Sequence, residues 1–293
     1  MDRDFIESGK ISAKARDFGK KLIKEGASVF EIAEAVENKM RELGGHPAFP
    51  VDISIDGLAA HASPGPDDKT ILQKGQLVKL DLGAHVNGKV TDTAVTVEVG
   101  TNKWAKLIEA VEKSLENVEK LIKPGTEVRE IGKVISETII SYGFKPITNL
   151  SGHGIGEFEV HTTPTIPNFD NGNKEKLKEG QTIAIEPFAT VGSGLVKEGK
   201  GSGIYELMND KPTRSAQVRK VLDYIKENFN TLPFSLRWIN KLPNAKFALR
   251  TLEAEGIIHQ FAELPEKSNG ITSQAEHSYM VGHGRLTWFY RTP

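Results

Sequence analysis

The chain of 293 residues contains no cysteine. That absence excludes a disulfide framework, a thiolate-bound zinc or iron–sulfur site, and a thiol nucleophile. Any metal must be held by His, Asp and Glu. No apolar run approaches the roughly 18 residues of a membrane span. Charge of one sign is also missing: 38 Lys and Arg against 39 Asp and Glu leave a net charge of −1. Bulk charge therefore gives no case for a nucleic-acid site or an anionic-membrane partner. The stretch Met1–Lys21 is charged throughout and lacks the apolar h-region of a signal peptide, so the expected location is the cytoplasm. What is present, 38% apolar and 26% charged residues, fits a folded globular protein rather than a disordered one. The length allows one large domain or two small ones.

The chain repeats itself. Moving Ile23–Pro47 by 99 residues onto Ile122–Pro146 gives eight identities in 25 positions, among them Gly26/Gly125, Val29/Val128, Glu31/Glu130, Ile32/Ile131 and Pro47/Pro146. Chance would give about one or two. At a shift of 100, His61-Ala-Ser-Pro64 falls on His161-Thr-Thr-Pro164, and at 105, Leu72–Gln76 falls on Leu177–Gln181 and Asp81 on Glu186. Any two helix–strand units could look alike, but here the order of all three matches is kept. The expectation is a duplicated α+β half with a site shared between the halves.

Ile6, Ile11, Ala15, Phe18 and Leu22 recur at near-helical spacing. Ser28 with Glu31 is a capping-box start for a second helix, which Gly44-Gly45 ends. Trp104 to Ile122 marks a third helix, stopped at Pro124-Gly125, and Val128 to Ile139 a fourth. Leu77–Gly83 and Thr91–Val99 alternate as strands. Ser215 to Ala262 is helix-like (Val218, Leu222, Ile225, Phe229; then Phe247, Leu249, Leu252) and has no counterpart in the first half. Strand-like sequence resumes at His277–Val281, so this stretch is expected to be an inserted helical subdomain, about residues 205–265, within one domain of residues 1–293. Arg285–Pro293 offers a last strand with no assigned neighbour.

Asn87-Gly88, flanked by alternating apolar residues, signals a two-residue type I′ hairpin. Such a turn pairs Val86 with Lys89 and sets Gly83 opposite Asp92. Asp81, two residues from Gly83, shares its face, so Asp81 and Asp92 become diagonal neighbours about 7–8 Å apart. Two solvated strand acids would give the same pattern; a cation between them would make it stable. In Asn149-Leu-Ser-Gly-His153-Gly-Ile-Gly156 the glycines expose His153 and allow close backbone approach to a ligand, and imidazole is the commonest metal-ligating side chain; an ordinary loop histidine is the other reading. His161 follows eight residues later. Glu186 ends an apolar strand at Pro187, which denies the ladder a donor, and Glu276 lies inside strand-like sequence. Four carboxylates and one imidazole suit two divalent cations, Mn, Fe, Co or Zn, with charges of −4 and +4 before any hydroxide is added.

These motifs match a known family. The sequence resembles methionine aminopeptidase of the second type, in its short archaeal form, with the "pita-bread" fold. The resemblance is carried by Pro47-Ala-Phe-Pro50, Ala59-Ala-His61, Lys79-Leu-Asp81-Leu-Gly83, Thr91-Asp92-Thr93-Ala94, Asn149-Leu-Ser-Gly-His153, Ile185-Glu186-Pro-Phe-Ala189 and Ala275-Glu276-His277. It implies an α+β fold of two pseudo-symmetric helix–helix–strand halves around a curved antiparallel sheet, with the helical insert separating type 2 from type 1. It implies two divalent ions per chain: Asp81 on one, His153 and Glu186 on the other, Asp92 and Glu276 bridging. His61 and His161 would face the substrate, Glu186 would help move a proton, and Phe49 would line the methionine pocket, with Pro233 and Ile204 as weaker candidates. The implied reaction is hydroxide attack on the scissile carbonyl at the two metals. It releases the N-terminal methionine of nascent chains whose second residue is small. The implied partners are those chains and the ribosome that carries them, with the enzyme a monomer. Two rivals share the fold: a proline-directed dipeptidase, and a catalytically silent binding protein, which would have lost metal ligands that this chain keeps.

Overall fold

The computed structural model describes residues 2–287. Helices α1 (Arg3–Leu22) and α2 (Val29–Glu42) lead into short strands β1 (His46–Pro47), β2 (Asp52–Ile55) and β3 (Leu58–Ala60) and the hairpin of β4 (Leu77–Val86) and β5 (Lys89–Glu98). A second pair, α3 (Ala105–Glu119) and α4 (Val128–Ser141), leads into β6 (Lys145–Pro146), β7 (Ser151–Gly156), β8 (Glu159–Pro167), β9 (Thr182–Ile185) and β10 (Phe188–Thr190). Next come β11 (Gly201–Leu207), α5 (Ala216–Phe229), β12 (Phe234–Ser235), α6 (Leu236–Ile239), α7 (Ala245–Ala254) and β13 (Ile258–Ala262). The described part closes with β14 (Leu264–Pro265), β15 (Thr272–Gln274), β16 (Glu276–Met280) and β17 (Gly284–Arg285).

The helices form where the apolar period places them. Ser28 Oγ accepts the Glu31 amide at the start of α2, and Val29, Ile32, Ala33, Val36 and Met40 give α2 one buried stripe. α3 ends at Glu119, short of the expected Ile122. Pro124 disfavours helical backbone at Lys123, and Gly125 turns the chain at φ 89°. In α7 the buried stripe is Ala245, Ala248, Leu249 and Leu252. Phe247, expected among the apolar positions, lies on the opposite face and is 59% exposed.

Nine strands form one curled antiparallel sheet in the order β1-β4-β5-β16-β9-β7-β8, with β2 also on β4 and β17 on β16. The Asn87-Gly88 turn, with both residues at positive φ, produces the expected register: Val86 opposes Lys89 and Gly83 opposes Asp92. The repeat is visible as duplicated hydrogen bonds. Ser28 bridges Ile71 and Glu127 bridges Lys176. Gly26 donates to the Leu72 carbonyl at 2.9 Å, as Gly125 does to that of Leu177 at 2.8 Å. One half packs Ile11, Val36, Leu80 and Leu82 together; the other packs Val111, Ile135, Ile183 and Ile185. Because side chains alternate across a strand, the acids at Asp81 and Glu186 sit outside these helix-covered cores.

Residues 201–262 build a core of their own from Val218, Leu222, Ile225, Phe234, Leu249 and Leu252. It includes a three-stranded sheet, β12-β11-β13; the two-residue β12 is too short to show as alternation. Arg237 ties this unit to α2. Its guanidinium grips both oxygens of buried Glu37 at 2.6 and 2.8 Å, and Trp238 Nε1 donates to Glu37 at 2.7 Å. Of the expected tail strand only Arg285 lies in one, β17, where it opposes Tyr279; Leu286 and Thr287 are in a bend, and residues 288–293 lie outside the described residues.

Glu266 locks the loops behind the site. Fully buried, it accepts the amides of Ser193, Gly194, Ser268 and Gly270 and the hydroxyls of Ser193 and Ser268. Burial pushes its carboxyl up, but the donors from Ser193, Gly270 and Ser268 outweigh it and hold the group down at about 2. A carboxyl depressed in the folded state stabilises the fold above its ordinary value and loses that contribution as pH falls toward 2. Glu266→Gln is expected to cost about 1–3 kcal/mol at neutral pH and to flatten the fall in melting temperature between pH 5 and pH 2. An unchanged melting temperature across that range would show that the donors are satisfied without the charge.

Candidate metal centre

The site forms where the two halves meet. Asp81 lies on β4 and Asp92 on β5. Glu276 opens β16 opposite Ala94, and His153 lies on β7 opposite Ala184. Glu186 follows β9, where Pro187 ends the strand and the chain resumes as β10 in a different sheet. All five line one cavity of about 230 Å³, and so do His61, His161, Phe49, Ile204 and Pro233. The structure thus brings together every residue singled out from the sequence. The cavity is smaller than the ~300–1,000 Å³ typical of drug-sized ligands, a size suited to one side chain and the bond beside it.

One atom each from Asp92, His153 and Glu276 lie within 4.8 Å of one another. His153 Nε2 is 3.8 Å from Asp92 Oδ2 and 3.8 Å from Glu186 Oε1. On the other side, Gln274 Nε2 donates to Asp81 Oδ2 at 2.9 Å and to Glu276 Oε2 at 3.3 Å. Asp92 and Glu276 therefore stand between Asp81 at one end and His153 with Glu186 at the other.

The electrostatics are those of acids crowded without a cation. Burial, then the neighbouring Asp52, pushes Asp81 up to about 7 against the Gln274 hydrogen bond. Burial also pushes Asp92, Glu186 and Glu276 well above the usual carboxylate range, and the other acids of the cluster add to it. Burial lowers His153 to about 4, so its imidazole is neutral and available as a ligand. Among the described residues, Asp81 Oδ1, Asp92 Oδ1 and Glu276 Oε1 are buried without a hydrogen-bond partner. Orphaned carboxylate oxygens at this density are stable only with bound cations or bound protons. An oxygen-rich set with one imidazole fits divalent Mn, Fe, Co or Zn.

His153 is on a strand, not the exposed loop expected from its glycines, and is only 7% exposed. The glycines serve packing: a Cβ at Gly152 would come 2.3 Å from the Ala184 oxygen, and one at Gly154 2.1 Å from the Thr163 oxygen. Likewise the Phe49 ring lies where a Cβ on Gly83 would be, 2.4 Å away. His161, on β8, meets His153 edge-on with ring centroids 4.4 Å apart. Removal from bulk water and the neighbouring His153 and His61 rings push its imidazole down, so it is neutral. Asp52, Val160, Phe261 and Leu264 line the cavity without having stood out in the sequence, and neither did the role of Gln274, which donates to Asp81 and Glu276. Asp52 is the direct partner of Asp81 across β2 and β4. Its only signal was a polar residue between Val51 and Ile53.

The model of metallopeptidase family M24 matches residues 3–219. The chain is 45% identical to a methionine aminopeptidase of Methanocaldococcus jannaschii over 276 residues, covering 94% of each chain. It is 42% identical to one of Pyrococcus horikoshii over 292 residues, covering 98% of this chain and 99% of that one. Among solved structures, a thermophilic Arx1 superposes with a TM-score of 0.85 at 19% identity, covering 98% of this chain and 91% of that one. Methionine aminopeptidase from Thermotoga maritima superposes with a TM-score of 0.71 at 22% identity, covering 97% and 95%. These two likenesses speak to the pita-bread fold. No helix among the described residues is long and apolar enough to cross a membrane.

Proposed function

The chain belongs to metallopeptidase family M24, and on that premise we propose that it is a metalloaminopeptidase that removes N-terminal methionine from nascent proteins. We assign it two divalent ions and the second type of the family, in its short archaeal form. The observation that carries the reading is the cavity in which Asp81, Asp92, Glu186 and Glu276 converge, with one buried oxygen each of Asp81, Asp92 and Glu276 unpaired among the described residues. In this assignment Asp81 serves one ion, His153 and Glu186 the other, and Asp92 and Glu276 both. The bound ions would supply Lewis acidity at the scissile carbonyl and ease water ionisation at neutral pH.

The chain's own groups do the rest. Phe49, backed by Ile204 and Pro233, gives the methionine side chain an apolar wall. Glu186 takes up the proton released from the attacking water. His161 donates to the carbonyl oxygen as negative charge grows on it. His61 hydrogen-bonds the N–H of the scissile amide and holds it in place, and the proton taken up by Glu186 passes to that nitrogen so that it leaves as an amine. Crowding around His61 restricts the second residue to small side chains. The site acts on soluble chain ends, a reading that places the protein with ribosomes in the cytoplasm as a monomer.

Purified protein should carry divalent metal and release methionine from Met-Ala-Ser, stop with a chelator, and recover when metal is restored. Met-Lys-Ser should react at least about 10-fold more slowly, the scale of one steric misfit in a closed pocket. Metal-loaded protein that leaves Met-Ala-Ser intact but splits X-Pro dipeptides would favour the proline-directed rival. Equal rates on the two methionyl peptides would remove the steric account of specificity.

A further inference from the structure

We propose that Asp52 is a positioning residue that acts through His61, and that the backbone of β13 fixes the tautomer of the same ring. The proposal rests on the reading of His61 as a substrate-facing group. Asp52 is an awkward residue to bury. It is 4% exposed, it lies directly opposite Asp81 in the β2–β4 ladder, and among the described residues it has no ion-pair partner. A second acid there works against its neighbour, and its charge contributes to raising Asp81. Both of its oxygens are nevertheless in use. Ser54 Oγ donates to Oδ1 at 2.6 Å, and the backbone amide of His61 donates to Oδ2.

That amide belongs to a residue in an unfavourable conformation. His61 leaves β3 at φ 62°, a left-handed geometry that costs a non-glycine residue roughly 1–2 kcal/mol. The Asp52 side-chain oxygen accepts its N–H and so ties down that conformation. Beside it, Ile53 N donates to the Ala62 oxygen at 2.9 Å. Strand β2 therefore clamps the reversal that carries His61 with one side-chain bond and one main-chain bond.

The ring is held from the other side of the cavity. His61 Nδ1 is 3.2 Å from the Ala262 oxygen on β13, and the Phe261 ring stands edge-on at 5.5 Å. A carbonyl only accepts, so Nδ1 carries the proton. Nε2 is left with its lone pair, and it can accept the N–H of the scissile amide. Asp52 sets where the ring stands, and β13 sets which nitrogen it presents.

Asp52→Asn keeps an oxygen for the His61 amide and gains an NH₂ that Ser54 Oγ can accept. It should hold turnover within about 3-fold of the parent, because the hydrogen bond is what matters. Asp52→Ala should lose about 10–10²-fold in kcat on Met-Ala-Ser, the scale of a small misplacement, with KM within about 3-fold and metal content unchanged. In a His61→Ala background, Asp52→Ala should cost less than about 3-fold further, since it acts through the missing ring. An equal loss in both backgrounds, a loss of metal, or an Asn variant as poor as the Ala variant would overturn the proposal. Nitrogen-15 spectra of the histidine rings judge it without activity. The parent and Asp52→Asn should show His61 as the Nδ1–H tautomer; an Nε2–H tautomer in the parent would overturn it. A parent that never releases methionine but shows the Nδ1–H tautomer would refute the functional reading and leave the β13 contact standing. Should Asp52→Ala not fold, Asp52→Ser takes its place in the cycle under the same criteria.

Discussion

Asp92→Asn protein should lose both metals and nearly all activity while its metal-free form becomes more stable than the metal-free parent. The two halves of this expectation have one cause. Asp92 is buried in a cluster of acids that pushes it well above its ordinary range, so without metal its charge opposes folding. Amide replacement keeps the shape and removes that charge, which is neutral or stabilising for a buried unpaired acid. The backbone should not notice, because Ser278 brackets Asp92 by accepting its amide at 2.7 Å and donating to its carbonyl at 2.8 Å. With metal added the order should invert, because the parent gains binding energy that the variant cannot. Loss of the whole centre should exceed the 10²–10³ typical of one missing transition-state donor. Glu276→Ala should behave alike in metal content and activity.

The same cluster makes metal binding a proton-releasing event. Acids held up in the metal-free protein, Asp81 at about 7 among them, give up protons when a cation arrives. Affinity should therefore fall as pH drops below 7, and calorimetry in buffers of different ionisation heat should show net release. The metal-free parent has the opposite dependence: a carboxyl with a raised value loses stability as pH rises from its ordinary value toward the raised one. An Asp92→Asn variant that binds two metals and turns over normally would remove Asp92 from the centre.

His61→Ala and His161→Ala should each keep metal and a normal melting temperature but lose turnover on the order of 10²–10³-fold. In the proposed assignment neither ring holds an ion, so truncation should leave the metal-binding set in place. His161 nonetheless touches His153, a proposed ligand, which makes metal content the decisive control. Loss of metal in His161→Ala would make it a support for His153 rather than a donor to substrate. Full activity in the same variant would show that metal alone stabilises the developing oxyanion. Because burial keeps the His161 ring neutral, its removal should leave the acid limb of the pH–rate profile where the parent has it.

The parts of this protein that were legible in the residues are those set by short-range rules. The Asn87-Gly88 turn dictates its own register, and with it the diagonal placing of Asp81 and Asp92. Apolar period marks α1, α2, α4 and α5, and duplicated residues mark duplicated bonds such as those of Gly26 and Gly125. The duplicated α+β halves followed from these elements; the pita-bread fold and the candidate ligand set came with the family resemblance that the motifs on them carry. What escaped depends on distant partners. Asp52 opposite Asp81 needs the β2–β4 pairing. Gln274 bridging Asp81 and Glu276 needs a strand that arrives 193 residues after Asp81. The carbonyl on His61 comes from a residue 201 positions away. Even the glycines around His153 changed meaning, from ligand access to sheet packing, once β8 and β9 were seen against them. A local pattern records the faces a segment must bury and the turns it can make. It does not record which remote strand will meet that face, and the groups that orient this site are supplied by those remote strands.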